Sequence, residues 1–215
     1  MDSKMINIII EALGQTIYMV FFSTLFASVL GFILGIIVTV TSPTGLRSNI
    51  FIYKSLDVII NVLRSFPFII LIVFIIPLTR AIVATPIGET AAIVPLTIAA
   101  APFVARIIES ALKEVDPGVI EAAKSFGASN LQIIFKVMLK EAVPAIISGL
   151  TLTIINIIGY SAMAGSVGAG GLGKVAISYG YQRYQTDVMI VTVIILIIMV
   201  QGLQSLGNYL YKKLS

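Results

Sequence analysis

Five stretches of this chain carry no charged side chain: residues 12–46, 65–79, 90–105, 142–173 and 188–211. Nothing constrains its fold more. A helix needs about 20 mostly apolar residues to cross a hydrocarbon core roughly 30 Å thick, and in that core every backbone amide must find its partner within the protein. The runs are therefore predicted to be transmembrane α-helices, near Gln15–Val40, Val58–Leu78, Thr90–Ala111, Val143–Met163 and Val188–Leu210. Composition agrees, with 58% hydrophobic residues, 11% charged residues and a mean hydropathy of +1.06, far from the balance of a soluble domain. The expected fold is an all-α integral membrane protein forming one transmembrane domain over residues 1–215. The first apolar run far exceeds the roughly 7–15-residue core of a secretory leader, so it is read as a span and not as a cleaved signal.

Five spans put the two ends on opposite sides of the membrane, and lysine and arginine decide which way round. With the N-terminus outside, the cytoplasmic segments hold Arg47, Lys54, Arg64, Arg106, Lys113, Lys124, Lys136, Lys140, Lys212 and Lys213. The external ones hold only Lys4, Arg80, Lys174 and Arg183. The expected orientation is thus N-terminus outside and C-terminus cytoplasmic, with a cytoplasmic loop over 112–142. The net charge of +4 follows from the same asymmetry and calls for no nucleic-acid partner.

That loop contains the longest charge-bearing interruption, Asp116–Pro144. Asp116 before Pro117 is a helix start, since Asp accepts the free first-turn amides and Pro lacks one of them. Gly127 stops the helix. Ser129 with Gln132 reads as a capping box that opens a second, amphipathic helix carrying Leu131, Ile134, Phe135 and Met138. On the first helix Val119, Ala122, Ala123 and Phe126 fall on one side and Glu121, Lys124 and Ser125 on the other. The paired alanines leave a surface shallow enough for another protein to approach closely.

The run from Tyr160 to Lys174, YSAMAGSVGAGGLGK, contains Gly168, Gly170 and Gly173 in G-x-G-x-x-G spacing. A dinucleotide site needs a strand before that motif, and a phosphate loop needs Ser or Thr where this chain has Val175. The expectation is instead a tightly packed turn outside the fourth span, with Tyr160, Ser161 and Met163 lining or closing a path and Tyr179, Tyr181 and Tyr184 at the external interface. Met163 as ordinary packing is the plainer alternative. Arg64 lies inside the second span, where it either contacts a substrate or ion, snorkels to the headgroups, or pairs with Asp57. Pro67, Pro77, Pro95, Pro102 and Pro144 imply kinks. The absence of His and Cys removes imidazole and thiolate metal or nucleophile chemistry, and no carboxylate falls mid-span to serve a proton relay.

Glu121-Ala122-Ala123, three further residues and then Gly127 resembles the EAA motif of permease subunits of ABC importers. The stretches NVLRSFPFIILIVFIIPLTR (61–80), GYSAMAGSVGAGGLG (159–173) and YGYQRY (179–184) are similar to the methionine-uptake branch of that family, and together the likeness covers nearly the whole chain. One departure is Lys140, near where the family pattern ends in Pro; here Pro144 follows. The resemblance implies the type I importer permease fold. It makes the segment holding Glu121, Ala122, Ala123, Lys124, Phe126 and Gly127 a coupling helix that docks on a cytoplasmic ATPase. It further implies a homodimer, two ATPase subunits that bind ATP and Mg so that this chain needs no cofactor, an external substrate-binding lipoprotein, and a bacterial cytoplasmic membrane. Its implied substrate is methionine, L or D, and derivatives; another amino acid or small peptide is the alternative. A channel or secondary carrier and a membrane-embedded enzyme are the competing classes. ATP-dependent uptake would discriminate the first, and the lack of a Ser/His pair or metal cluster weighs against the second.

Overall fold

A computed structural model describes residues 3–214, so both extremities of the expected 1–215 domain fall outside it. The described residues are helical and contain no strand. Helix α1 (Ser3–Thr41) is followed by α2 (Ile50–Ser65), two short helices α3 (Phe68–Phe74) and α4 (Ile76–Val83), and α5 (Glu89–Lys113). Helix α6 (Pro117–Ser125) stands alone. Helix α7 (Asn130–Gln132), a π-helical stretch (Ile133–Met138) and α8 (Leu139–Ser166) run on as one helix of 37 residues. The chain ends with α9 (Gly171–Val175), a second π-helical stretch (Ala176–Tyr181) and α10 (Thr186–Leu214).

Among the described residues four helices are long and apolar enough to cross a membrane, α1, α5, Asn130–Ser166 and α10, and α2 with α3 passes the same test as a fifth, bent span. The second expected span differs. Residues 58–78 do not form one helix, because the chain turns by 106° between α2 and α3 and breaks again at Ile75. The physical cause is Pro67. Its ring drives Phe66 out of the helical region, to φ −75° and ψ 123°, as proline does to the residue before it. Pro95, Pro102 and Pro144 are instead absorbed within α5 and α8, as membrane helices tolerate proline when other groups or local adjustments satisfy the freed carbonyls.

Helix α1 also starts well before residue 15, and at 39 residues it measures about 58 Å, more than a bilayer core requires. Its line of Ile17, Phe21, Leu25, Val29 and Ile33 is exposed. The four-residue spacing keeps that line on one side of the helix, suited to lipid. On another side Gly31 and Gly35 meet α5. A methyl group at Gly31 would lie 2.4 Å from Val104 Cβ and 2.7 Å from the Ala101 carbonyl oxygen, and one at Gly35 would lie 2.6 Å from Ile108 Cβ. In lipid there is no hydrophobic drive to push helices together, so close backbone approach through small residues is what holds them. Gly31 and Gly35 form a G-x-x-x-G pair, a signal the sequence reading passed over.

Candidate functional site

Helix α6 lies at the end of the molecule where α1 and α5 terminate and α2 begins. Asp116 Oδ1 accepts a hydrogen bond from the Gly118 amide at 2.7 Å, and Pro117 opens the first turn. At the other end Gly127 takes φ +76°. Its amide donates to Lys124 O at 2.9 Å, and the Ala128 amide donates to Ala123 O at 3.1 Å, the paired bonds of a Schellman termination. The next helix begins with the expected capping box: the Gln132 amide donates to Ser129 Oγ, and the Ser129 amide to Gln132 Oε1.

The faces of α6 are redistributed relative to the sequence reading. Ile120 and Ala123 are partly buried and pack, with Ala128, on a cluster that contains Leu112, Val115, Ile133 and Met138. Ala123 thus faces the protein's own body. Glu121, Ala122, Lys124 and Phe126 are exposed, Phe126 at 91%. The cause is the returning helix, whose first turns reach under α6 and claim the side that Ile120 and Ala123 share. The Glu121 side chain forms no ion pair among the described residues; only its backbone oxygen is used, accepting from Ser125 Oγ at 3.0 Å.

Toward the opposite end of the molecule, Tyr160, Ser161 and Met163 are separated by the turn of α8. Met163 is half exposed. Tyr160 is partly buried, stacked on Phe68 of α3 with ring centroids 4.7 Å apart and planes 13° from parallel. Ser161 is buried, and its hydroxyl donates to Ile158 O at 2.7 Å, so in this conformation it faces packed protein. Leu152, Asn156, Gly159 and Met163 form an exposed line along α8, recurring every three or four residues as one side of a helix does.

The glycine run is a close-packed turn. A Cβ at Gly173 would lie 2.2 Å from Ala162 O, and one at Gly165 would lie 2.4 Å from the Lys174 amide nitrogen. No strand precedes it. The α9 amides that a phosphate would need are taken by α1: Gly171 N–H donates to Gln15 Oε1 at 2.8 Å and Leu172 N–H to Thr16 Oγ1 at 2.9 Å. Beyond it Tyr181 and Tyr184 are largely exposed, while Tyr179 lies under the Arg183 guanidinium.

A charge network joins α2 to α5 near the α6 end. Arg106 bonds to Asp57, to Glu109 Oε2 at 2.5 Å and to Asn61 Oδ1 at 2.9 Å, and Lys113 Nζ holds Glu109 Oε1 at 2.7 Å. One alternative falls as a result: Asp57 is paired with Arg106 and not with Arg64, which instead lies over the Phe103 ring. Near the end of α5 the network also buries a carboxylate, Glu109, 5% exposed, with both its oxygens engaged by cations. The spacing Arg106, Glu109, Lys113 could have revealed the helical part of this network; Asp57 could not have been placed without the fold.

Comparison with known proteins accords with this geometry. A Vibrio cholerae protein described as a probable D-methionine transport system permease is 51% identical over 207 residues, covering 96% of this chain and 92% of that one. The D-methionine transport system permease protein MetI of Escherichia coli K12 is 45% identical over 165 residues, 77% of this chain and 76% of that one. A chain of the MetNI methionine ABC transporter, solved in inward-facing conformations, superposes with a TM-score of 0.97 at 43% identity, with full coverage of both chains. An amino acid ABC transporter solved with histidines shares the fold alone, at 22% identity and a TM-score of 0.80. The model of the binding-protein-dependent transport system inner membrane components matches residues 27–215, and the chain belongs to that family.

Proposed function

We propose that this chain is the permease subunit of an ATP-driven importer of methionine, L and D, and its derivatives. The full-length likeness to a methionine ABC transporter chain, at 43% identity and a TM-score of 0.97, carries that reading. Two copies enclose a path that opens alternately to either side, in the manner of rigid-body alternating access. Helix α6, presenting Glu121, Ala122, Lys124 and Phe126 with Gly127 ending it, is the handle on which a cytoplasmic ATPase pulls, and Ala123 seats that handle on the body. The ATPase subunits bind ATP and Mg and perform the hydrolysis, so this chain is a transport subunit and needs no cofactor. An external binding lipoprotein delivers the substrate, and the assembly sits in the bacterial cytoplasmic membrane. The N-terminus lies outside and the C-terminus inside, following the distribution of Lys and Arg.

The test is uptake of labelled methionine into cells or vesicles that contain the permease, its ATPase and its binding protein. Uptake is expected with the wild-type ATPase and not with one unable to hydrolyse ATP. Uptake that persists with the inactive ATPase would make the chain a carrier or channel; uptake of a different amino acid only would reassign the substrate. Labelling of single introduced cysteines at the exposed positions 48, 125 and 212 should place them in the cytoplasm, and at positions 85 and 182 outside. External access to residue 125 would overturn both the orientation and the docking role of α6.

The gate of the path is assigned to Met163, with Tyr160 braced behind it on Phe68 and Ser161 on the packed side. Met163 ends the exposed α8 line, and a flexible, polarizable thioether can seal a narrow passage and repack when helices part. Met163→Ala is expected to raise substrate leak, or to let ATP turnover run without uptake, while the complex still assembles. Tight coupling in an assembled variant would reduce Met163 to packing.

A further inference from the structure

Polar side chains from three helices are gathered at one place in the helical body. Arg64 on α2, Ser110 and Glu114 on α5 and Asn156 on α8 line one open cavity of ≈ 390 Å³, and all four are exposed. Over residues 17–37 the exposed side chains of α1, in contrast, are all apolar or aromatic. Charged and amide side chains at membrane depth face water or protein, because hydrocarbon solvates neither. The cavity therefore belongs to an aqueous path.

Two arginines line this cavity, and their surroundings differ. Arg106 is neutralised by Asp57 and Glu109. Arg64 has no carboxylate partner among the described residues; its guanidinium lies 5.1 Å from the centroid of the Phe103 ring. It also sits in the last turn of α2, whose carbonyl end supplies only a partial opposing charge. A guanidinium seated on a ring keeps its N–H edge free for the two oxygens of a carboxylate. Asn156, from the facing helix, has no hydrogen-bond partner for its amide among the described residues, and the wall between them is apolar, formed by Phe103, Ile107 and Leu152.

We propose that this cavity is the transit site for an amino acid within the membrane: Arg64 takes the α-carboxylate, Asn156 Oδ1 accepts from the α-ammonium, and Phe103 with Leu152 receives an apolar or thioether side chain. The assignment rests on the import reading above and adds the residues that recognise the substrate. Glu114 follows Phe103 by 11 residues, about 16 Å along the helix, so it marks the mouth and does not touch the same small molecule. The ammonium consequently meets a neutral oxygen, which keeps binding weak enough for release, as conduction requires.

The site is tested by arginine modification in membranes containing the full chain, read residue by residue by mass spectrometry. Phenylglyoxal should label Arg64, and methionine in the tens of millimolar should slow that labelling at least about fivefold. Methioninamide, which lacks the carboxylate, should not. An unreactive Arg64, labelling indifferent to methionine, or equal protection by the amide would each overturn the site. In the assembled transporter Arg64→Met should lower methionine uptake at least about tenfold, with the ATPase still co-purifying, and Arg64→Lys should restore part of it. Wild-type uptake by Arg64→Met would also sink the assignment. The two readings fail separately: protection of Arg64 in a wild-type transporter that does not import methionine removes the import reading and leaves the carboxylate site, whereas import without protection removes the site alone.

Discussion

Phe126→Ala is expected to leave the permease folded and inserted in the membrane but to weaken its hold on the ATPase by about thirtyfold, the equivalent of about 2 kcal/mol. Phe126 is 91% exposed, so its removal costs the isolated protein almost nothing; exposed substitutions rarely exceed about 0.5 kcal/mol. An aromatic ring held out on a short capped helix makes sense as an anchor for a pocket on a partner, where truncation of such anchors costs about 2 kcal/mol or more. Ala122→Trp should have a matching effect for the opposite reason, since it adds bulk to the one exposed alanine of the pair and blocks close approach. Ala123→Trp is a poorer probe, because Ala123 packs on the body of its own chain and the change would damage the fold itself. Co-purification of the ATPase with membrane-extracted variants, alongside methionine uptake, measures the effect. Normal ATPase binding and uptake in both Phe126→Ala and Ala122→Trp would show that α6 is a solvated loop and no handle.

The second large effect is expected at the α1/α5 contact. Gly31→Leu should prevent recovery of folded permease, because the first added carbon alone would lie 2.4 Å from Val104 Cβ and 2.7 Å from a backbone oxygen. Backbone cannot move aside as the end of a flexible side chain can, so the helices must separate, and the dispersion contacts that hold them in lipid fall away along the whole seam. Overpacking in a core costs about 1–3 kcal/mol even where the surroundings relax; here they relax only by opening the interface. Gly14→Leu on the same helix is the control, since nothing lies within 4 Å of a Cβ there. Yield of monodisperse protein in detergent and its thermal unfolding midpoint are the measurements. A Gly31→Leu protein that extracts and melts like the Gly14→Leu protein would show that the two helices do not depend on this approach.

How far each feature could be read from the chain depends on the range of the interaction behind it. The helical class, the helix start at Asp116, the stop at Gly127 and the capping box at Ser129 and Gln132 were legible because each depends on residues within a turn of one another. The close packing of the glycine run was legible too, since so many glycines serve little purpose unless backbones meet, although Gln15 and Thr16 as the partners of its amides, more than 150 residues away, were not. Two features were present in the sequence but passed over: the Gly31 and Gly35 pair, and the helical spacing of Arg106, Glu109 and Lys113.

By itself the sequence determined that this chain lives in a membrane, that four of its five charge-free runs lie largely within long helices, and where the capped helix α6 begins and ends, because hydropathy and local hydrogen bonding act without knowledge of the rest of the fold. Only the tertiary structure decided the remainder. It broke the second expected span at Phe66 and Pro67, since the size of a proline bend depends on which helices receive the freed chain. It turned Ala123 inward and left Phe126 outward, gave Asp57 to Arg106 in place of Arg64, and set Arg64 across a cavity from Asn156. Each of these depends on which helix lies beside which, and that is fixed by packing between segments far apart in the chain.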